Sequence, residues 1–177
     1  GKDAIYRVAP GGSKVQVATP PNGVQAVSGV ADIDDDQTVE LVFVDSSQQL
    51  RYLESNGDTK KVQGGGLGSS SGIGAGSPPD LNNNGIPRIL GVDGSNNIIL
   101  AGVAEPSLTI SNTNSAKSPV TNADIDGDNQ PEILYIGNQN NYVKYVDNPL
   151  SGQQVKTVTN DQGDPVVGNP NIGVVSS

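Results

Sequence analysis

Hydrophobic residues along the chain form short runs, and turns rich in Gly, Asn, Asp and Ser separate them. Val, Ile and Leu dominate the runs, which is typical of β-strands. No stretch keeps a helical period over the ~11 residues or more that would indicate a helix. The pattern therefore predicts an all-β fold.

Three pairs of apolar runs are each joined by a short turn, which predicts three hairpins. The turn residues tolerate the positive φ that tight hairpin turns require. A further strand is expected after each hairpin, beginning near Thr59, Ser107 and Gln154. The predicted hairpin strands are Glu40–Val44 with Leu50–Leu53, Arg88–Val92 with Ile98–Ala101, and Glu132–Ile136 with Tyr142–Val146.

The hairpins belong to longer repeats. An acidic segment that starts at Asp32 recurs at Asp124, with a weaker copy at Asp80 and a shortened one at Asn169. These anchors are 48, 44 and 45 residues apart, and the interval across the joined termini is 40, so the four intervals add up to 177. Four strands every ~40–50 residues is the period of a β-propeller blade.

We therefore expect one domain, residues 1–177, folded as a four-bladed β-propeller with four antiparallel strands per blade. Strands from both termini are expected to close one blade, which would protect sheet edges from aggregation. An open array of sheets is the alternative. The Gly/Ser-rich approach to the second blade predicts a poorly formed inner strand at Ser71–Pro78. The blades are expected at roughly 24–63, 72–112, 117–159, and 164–177 joined with 1–19.

Two repeats place carboxylates at positions 1, 3, 5 and 9 of a loop. Alternate spacing turns such side chains inward together, where they repel one another unless a cation is present. Calcium takes ~6–8 oxygen ligands and tolerates irregular geometry, so a backbone carbonyl at position 7 and a water would complete the shell. The ligands expected for two calcium sites are Asp32, Asp34, Asp36, Thr38 and Glu40, and Asp124, Asp126, Asp128, Gln130 and Glu132.

The second repeat has a degenerate loop without a metal site. Asp80, Asn82 and Asn84 keep the oxygens but only one charge, and Arg88 stands at position 9. A guanidinium there is expected to take the place of the cation and to pair with Asp80. The fourth repeat, at Asn169, has no acid in its shortened loop, so two calcium sites are expected rather than four. Acidic turns that are merely solvated are the alternative.

The pattern Asp-x-Asp-x-Asp-x-x-x-Glu, followed by an apolar strand, resembles the FG-GAP/VCBS-type calcium-binding propeller repeat of α-integrins and many microbial surface proteins. The resemblance covers nearly the whole chain. It implies that the loop between the first and second strands of a blade binds calcium through the eight carboxylates named above. Two departures are that Gln37 and Asn129 stand where the family usually has Gly, and that the Phe-Gly and Gly-Ala-Pro signatures are absent.

A basic residue stands beside a tyrosine in the second hairpin strand of three blades. Such pairs could contact a ligand, with the ring stacking on a sugar and the cation holding an acidic group. They could also be amphipathic side chains whose apolar stems cover the neighbouring blade. The candidate ligand contacts are Tyr6, Arg7, Arg51, Tyr52, Lys144 and Tyr145.

Composition limits the chemistry. The chain has no Cys and no His, which excludes disulfides, thiolate or imidazole metal sites, and Ser-His-Asp catalysis. Its net charge of −9, from 10 basic and 19 acidic side chains, argues against nucleic acid as a partner. The apolar run 98–104 is too short for direct membrane insertion. Acids outside the loops, such as Asp3, Glu54, Glu105 and Asp161, show no partner, so no enzyme activity is expected.

These observations predict a non-enzymatic, calcium-stabilised binding or adhesion module of a microbial or viral surface protein, recognising a protein receptor or a glycan. The expected location is extracellular, at a cell or virion surface, where millimolar calcium fills even weak sites. One alternative is a structural decoration domain of a filament, capsid or surface layer, which binds copies of its parent assembly. The other alternative is a polysaccharide lyase or glycoside hydrolase.

Overall fold

The computed structural model describes residues 4–66, 79–110, 113 and 116–168, and of residues 64–66 and 118–120 only the backbone is described. In these ranges the chain forms 13 strands in antiparallel sheets and contains no helix, so the predicted all-β fold is confirmed. None of the described segments is a helix that could span a membrane.

Strand order within each sheet follows the sequence. The N-terminal hairpin consists of β1 (Ile5–Val8) and β2 (Lys14–Ala18). The first sheet contains β3 (Ala26–Ala31), β4 (Glu40–Val44), β5 (Gln49–Leu53) and β6 (Thr59–Gly66). The second sheet contains β7 (Ile89–Val92), β8 (Ile98–Ala101) and β9 (Leu108–Thr109). The third sheet contains β10 (Ala116–Ala123), β11 (Glu132–Gly137), β12 (Val143–Asp147) and β13 (Gln154–Thr157).

All three predicted hairpins are present, with strand ends within one residue of the prediction. The following strands begin at Thr59, Leu108 and Gln154, again as expected to within one residue. The strand predicted at Ser71–Pro78 lies outside the described residues, and so does the fourth anchor, Asn169.

Aspartates begin the turns of the first and second hairpins. The Oδ1 atom of Asp45 accepts the amides of Ser47 and Gln49, and Asp93 Oδ1 accepts the equivalent two amides of its own turn. Gln48 and Asn96 adopt φ of 60° and 63° at the matching position of the two turns. Side-chain acceptors that hold a short turn in this way fix the register of the strands on either side.

The hydrophobic core lies between consecutive sheets, because successive strand residues point to opposite faces. Phe43 and Leu53 of the first sheet pack with Ile5 of the N-terminal hairpin. On the other face, Val42 and its neighbours pack with Ile89 of the second sheet. A third cluster joins the second and third sheets and includes Leu90, Leu100, Ile133 and Tyr135. The four sheets therefore pack in the order in which the chain forms them.

The described C-terminal segment lies against the third sheet. Tyr142 forms an isolated antiparallel bridge with Val167. The amide of Val143 donates a 2.8 Å hydrogen bond to the carbonyl of Val166. The N-terminal hairpin thus contacts the first sheet, and residues 166–167 contact the third sheet.

Candidate metal centre

Three loops carry the acidic segment or its degenerate copy, and they share left-handed backbone at two positions. Their fourth and sixth positions are left-handed in every copy, with φ between 53° and 88°. The aspartate at position 1 accepts two loop amides in each copy, which closes the loop around its carboxylate. The left-handed residues are Asp35 and Gln37, Asn83 and Gly85, and Gly127 and Asn129.

The first loop, between β3 and β4, brings Asp32, Asp34 and Asp36 together, with one oxygen of each within 4.8 Å of the others. Glu40 at position 9 is fully buried. Its Oε2 accepts the Ile33 amide at 3.0 Å. All four predicted carboxylates of this loop therefore lie close to one another, and every donor is an oxygen.

Thr38, at position 7, lies among these carboxylates. Its amide and hydroxyl both donate to Asp36 Oδ1, at 2.8 and 2.6 Å, and the hydroxyl also reaches Glu40 Oε1 at 3.1 Å. These bonds lower the pKa of Asp36, with the threonine hydroxyl as the main cause. Position 7 therefore links the carboxylates at positions 5 and 9.

The third-sheet loop, between β10 and β11, repeats the arrangement. Asp124, Asp126 and Glu132 place oxygens within 4.8 Å of one another. Glu132 is fully buried, and its Oε2 accepts the Ile125 amide at 2.7 Å. Its Oε1 has no hydrogen-bond partner among the described residues. A buried carboxylate oxygen without a partner is costly, so this loop fits a bound cation better than a closed hydrogen-bond network.

The other two predicted residues of this loop lie beside these carboxylates. The amide of Gln130 donates to Asp128 Oδ1 at 2.8 Å. Asp128 itself joins a neighbouring group of carboxylates with Asp126. The fourth carboxylate is thus within 4.8 Å of Asp126, which belongs to both groups.

Two acids that the sequence reasoning left without a role extend these clusters. Glu54 groups with Asp36 and Glu40, and Asp147 groups with Asp126 and Asp128, again within 4.8 Å. Both acids follow directly from the strand pairing, since Leu41 pairs with Leu53 and Ile133 pairs with Val146. The hairpin register, applied one residue further, would have placed each acid opposite the glutamate at position 9.

A lysine reaches each of these added acids. Lys60 on β6 forms an ion pair with Glu54, and Lys156 on β13 forms one with Asp147. In both sheets the lysine is the cross-strand partner of a tyrosine, Tyr52 or Tyr145. The Nζ–ring-centroid distances are 5.7 and 5.6 Å. The expectation that Glu54 has no partner was therefore wrong.

Charge and burial raise several carboxylate pKa values in the two loops. Burial, reinforced by the charges of Glu54 and Asp36, raises the pKa of Asp34. Burial also raises the pKa of Glu40 and of Glu132, and the neighbouring loop aspartates add to both shifts. Burial is the main cause of all three shifts, so these are charged groups partly removed from water, which a bound cation would stabilise.

The degenerate second loop carries a fixed cation instead. Arg88 forms an ion pair with Glu105, and its Nε donates to the Pro106 carbonyl at 3.3 Å. Asp80 accepts loop amides, so the predicted partner of Arg88 was wrong. The side-chain amides of Asn82 and Asn84 also donate to Glu105. The arginine at position 9 thus pairs with Glu105, which lies outside the loop in the turn after β8.

The six candidate ligand contacts fall into different environments. Arg51 pairs at 2.5 Å with the buried Asp45, and Tyr52 is buried, so this pair lies within the first sheet. Lys144 and Tyr145 are half-buried. Tyr6 and Arg7 are exposed and line a cleft of about 590 Å³ between the N-terminal hairpin and the first sheet. Among the three pairs, only the one on β1 lines this cleft.

No family model, no curated protein and no solved structure matches this chain. The site must therefore be interpreted from its own geometry. Clusters of carboxylates that could hold a metal ion are present in the first and third sheets, and all the side chains that form them are Asp or Glu. Chemically, such clusters bind hard cations through oxygen.

Proposed function

We propose that the chain is a non-enzymatic, calcium-stabilised binding or adhesion module of a microbial or viral surface protein, acting outside the cell. The observation that carries this proposal is the equivalence of the first and third-sheet loops, which share register, left-handed positions and convergent carboxylates. Calcium suits an oxygen-only, irregular shell better than magnesium, which prefers near-octahedral geometry. The resemblance to FG-GAP/VCBS repeats points to the same loop.

The proposed architecture is a four-bladed propeller closed in the blade that contains both termini. The packing of the sheets in sequence order supports it, and so do the four-stranded first and third sheets. The chain has no cysteine, so Gly1→Cys with Ser177→Cys tests closure directly. An intramolecular disulfide should form under mild oxidation, and not in a control with Gly1→Cys and Gly94→Cys. If the first pair forms only intermolecular disulfides, the sheets form an open array.

A thermal melt with calcium, magnesium or chelator tests the role of the metal. Calcium at about 100 times its dissociation constant should add about 2.7 kcal/mol per site, and magnesium should add much less. Binding to cells or to a glycan array should then require calcium. A melting temperature that is indifferent to calcium would overturn the proposal.

A second candidate function, structural decoration of a larger assembly, is favoured by the exposed valines of β1, β2 and β3. Val8, Val15, Val27 and Val30 are between 46% and 65% exposed. Apolar side chains on neighbouring strands could pair with a copy of the same chain. Sedimentation that shows self-association, together with no binding to glycans or cells, would favour this candidate over a receptor-binding module.

The proposal assigns no catalysis to the chain, since the clustered carboxylates are taken up by the cation sites. The alternative of a polysaccharide lyase or glycoside hydrolase predicts reducing ends or unsaturated products from acidic polysaccharides. We expect neither product across a broad substrate panel, and release of either would contradict the proposal.

A further inference from the structure

We propose that Glu54 and Asp147 are additional ligands of the two cation sites, and that Lys60 and Lys156 are tethered cations that calcium displaces from them. The inference rests on the proposed function, because it concerns the same two loops. It adds a ligand from outside each loop and a competitor for the metal.

The added acids meet the loops at the same place in both sheets. Glu54 and Asp147 are 8% and 6% exposed, so each carboxylate lies within the protein beside the loop. Each lies with two loop carboxylates inside 4.8 Å, a separation that one cation can bridge. The loop alone supplies four carboxylates, and the cross-strand acid makes a fifth.

An independent observation points to a cation at the third-sheet loop. Glu132 is fully buried, yet its Oε1 has no hydrogen-bond partner among the described residues. The same side chain belongs to the cluster of Asp124 and Asp126. Its other oxygen is satisfied by the Ile125 amide, so the free oxygen is the one available to a ligand.

The lysines are placed as replaceable cations. Lys156 Nζ lies 2.5 Å from Asp147 Oδ2, and its side chain is 40% exposed. Lys60 pairs with Glu54 in the same way and is 54% exposed. Both side chains can therefore swing into solvent without unpacking the core. Each pair joins an exposed lysine to a buried carboxylate, and calcium can compete for that carboxylate because it carries twice the charge and contacts several carboxylates at once.

The second sheet serves as a comparison, because in its loop the cation is the side chain of Arg88. Ile89 pairs with Ala101, so Gly102 lies at the position that corresponds to Glu54. A Cβ on Gly102 would lie 1.9 Å from the carbonyl oxygen of Glu105, so no acidic side chain fits there. Glu105 instead pairs with Arg88, whose side chain is only 13% exposed. The cross-strand acid and the mobile lysine therefore occur only in the two described sheets whose loops keep their carboxylates.

Amine labelling of the unmodified protein tests the displacement. Metal-stripped protein is acetylated with and without calcium chloride, and the extent of reaction at each lysine is measured by mass spectrometry. We expect calcium to raise the labelling of Lys60 and Lys156 by about two- to fivefold, because an amine released from its ion pair is more available to the reagent. Lys61 and Lys117, exposed lysines on the same two sheets, are the controls and should not change. Unchanged or reduced labelling of Lys60 and Lys156 would overturn the inference.

Calorimetric titration of variants tests the ligands. Lys156→Met should tighten calcium binding at one site by about two- to fivefold, because the competing cation is gone. Lys117→Met, which removes the same charge from the same sheet, should not tighten it. Asp147→Asn should weaken that site by about tenfold or more, as expected for the loss of one charged ligand. Equal affinities in the wild type and Asp147→Asn would show that Asp147 is not a ligand.

The two proposals fail in different ways. If the wild-type protein shows no heat with calcium, the proposed function fails and the lysines have nothing to compete with. If it binds two calcium ions while lysine labelling and the Lys156→Met affinity stay unchanged, only the present inference fails.

Discussion

At the scale of single residues, Asp45 illustrates how polar side chains hold the strands in register. Its side chain is fully buried and accepts hydrogen bonds from Arg51, Asn22 and two turn amides. Burial by itself would raise the pKa of Asp45, but these hydrogen bonds outweigh it and lower the pKa below its usual value. The charged form is therefore the stabilising one.

Replacement of Asp45 by Asn should reduce the free energy of unfolding at neutral pH by about 1–3 kcal/mol, because the Arg51 charge loses its partner. The pKa of Asp45 is lower in the folded protein than in the unfolded protein. Its hydrogen bonds therefore contribute their full stability at pH values above the unfolded pKa, and this contribution is lost as the pH falls through the folded pKa. The difference between wild type and Asp45→Asn should therefore stay constant from about pH 7 to about pH 5 and shrink as the pH falls further. Denaturant unfolding measures it. A constant difference, or one matched by the exposed control Asp58→Asn, would contradict this role.

Gln37 is a second residue that affects the stability of the fold, in this case through its left-handed backbone conformation. It is exposed and adopts φ of 69° at position 6 of the first loop. A glutamine seldom adopts this conformation, because a left-handed backbone brings its Cβ close to the following carbonyl oxygen. Its counterpart Asn129, with φ of 65°, tolerates the left-handed region better.

Gln37→Gly should raise the free energy of unfolding by about 0.5–1 kcal/mol, since the steric cost of the left-handed backbone is removed. Gln154→Gly, in the exposed first position of β13, should lower it by about the same amount. Both are measured by denaturant unfolding in chelator, so that changes in metal affinity do not contribute. Destabilisation by both substitutions would show that position 37 is not strained.

At the scale of strands and loops, the sequence predicted most of the local structure because period-2 runs and turn residues are local signals. The hairpins around Asp45 and Asp93 follow this rule. The missed ligands, Glu54 and Asp147, depend instead on which residue lies opposite Glu40 and Glu132 across the hairpin. Which residue lies opposite is set by the register of the hairpin. The predicted strands imply that register, but the spacing of acids within the loop does not. The partner of Arg88 was missed because Glu105 comes from another turn.

The loops also differ in how they join the core, and this difference gives a matched test. Ile33 and Ile125 both stand at position 2 of an acidic loop, but Ile33 is fully buried and Ile125 is 41% exposed. Ile33→Ala should lower the free energy of unfolding by about 2–4 kcal/mol through lost burial and a cavity. Ile125→Ala should cost less than about 1 kcal/mol. Equal losses in chemical denaturation would show that the two loops pack alike.

At the scale of the whole molecule, packing between sheets organises the fold and the two candidate sites together. Ile33 of the first acidic loop reaches into the core shared with the second sheet, and Leu81 of the degenerate loop reaches into the core shared with the third sheet. Repeat spacing predicted this serial order. Ring closure involves contacts between the two ends of the chain, and the strands that would make them include residues 169–177, outside the described part.

The central claim is that the two equivalent acidic loops bind calcium and the degenerate loop does not. Calcium titration of chelator-stripped protein by calorimetry tests it most directly. The account predicts two calcium ions per chain in the wild type, and one in Glu132→Gln, because that variant loses the buried carboxylate of the third-sheet loop. Arg88→Gln, in the degenerate loop, should leave the number at two. No binding in the wild type, or three or more calcium ions per chain, would contradict the account.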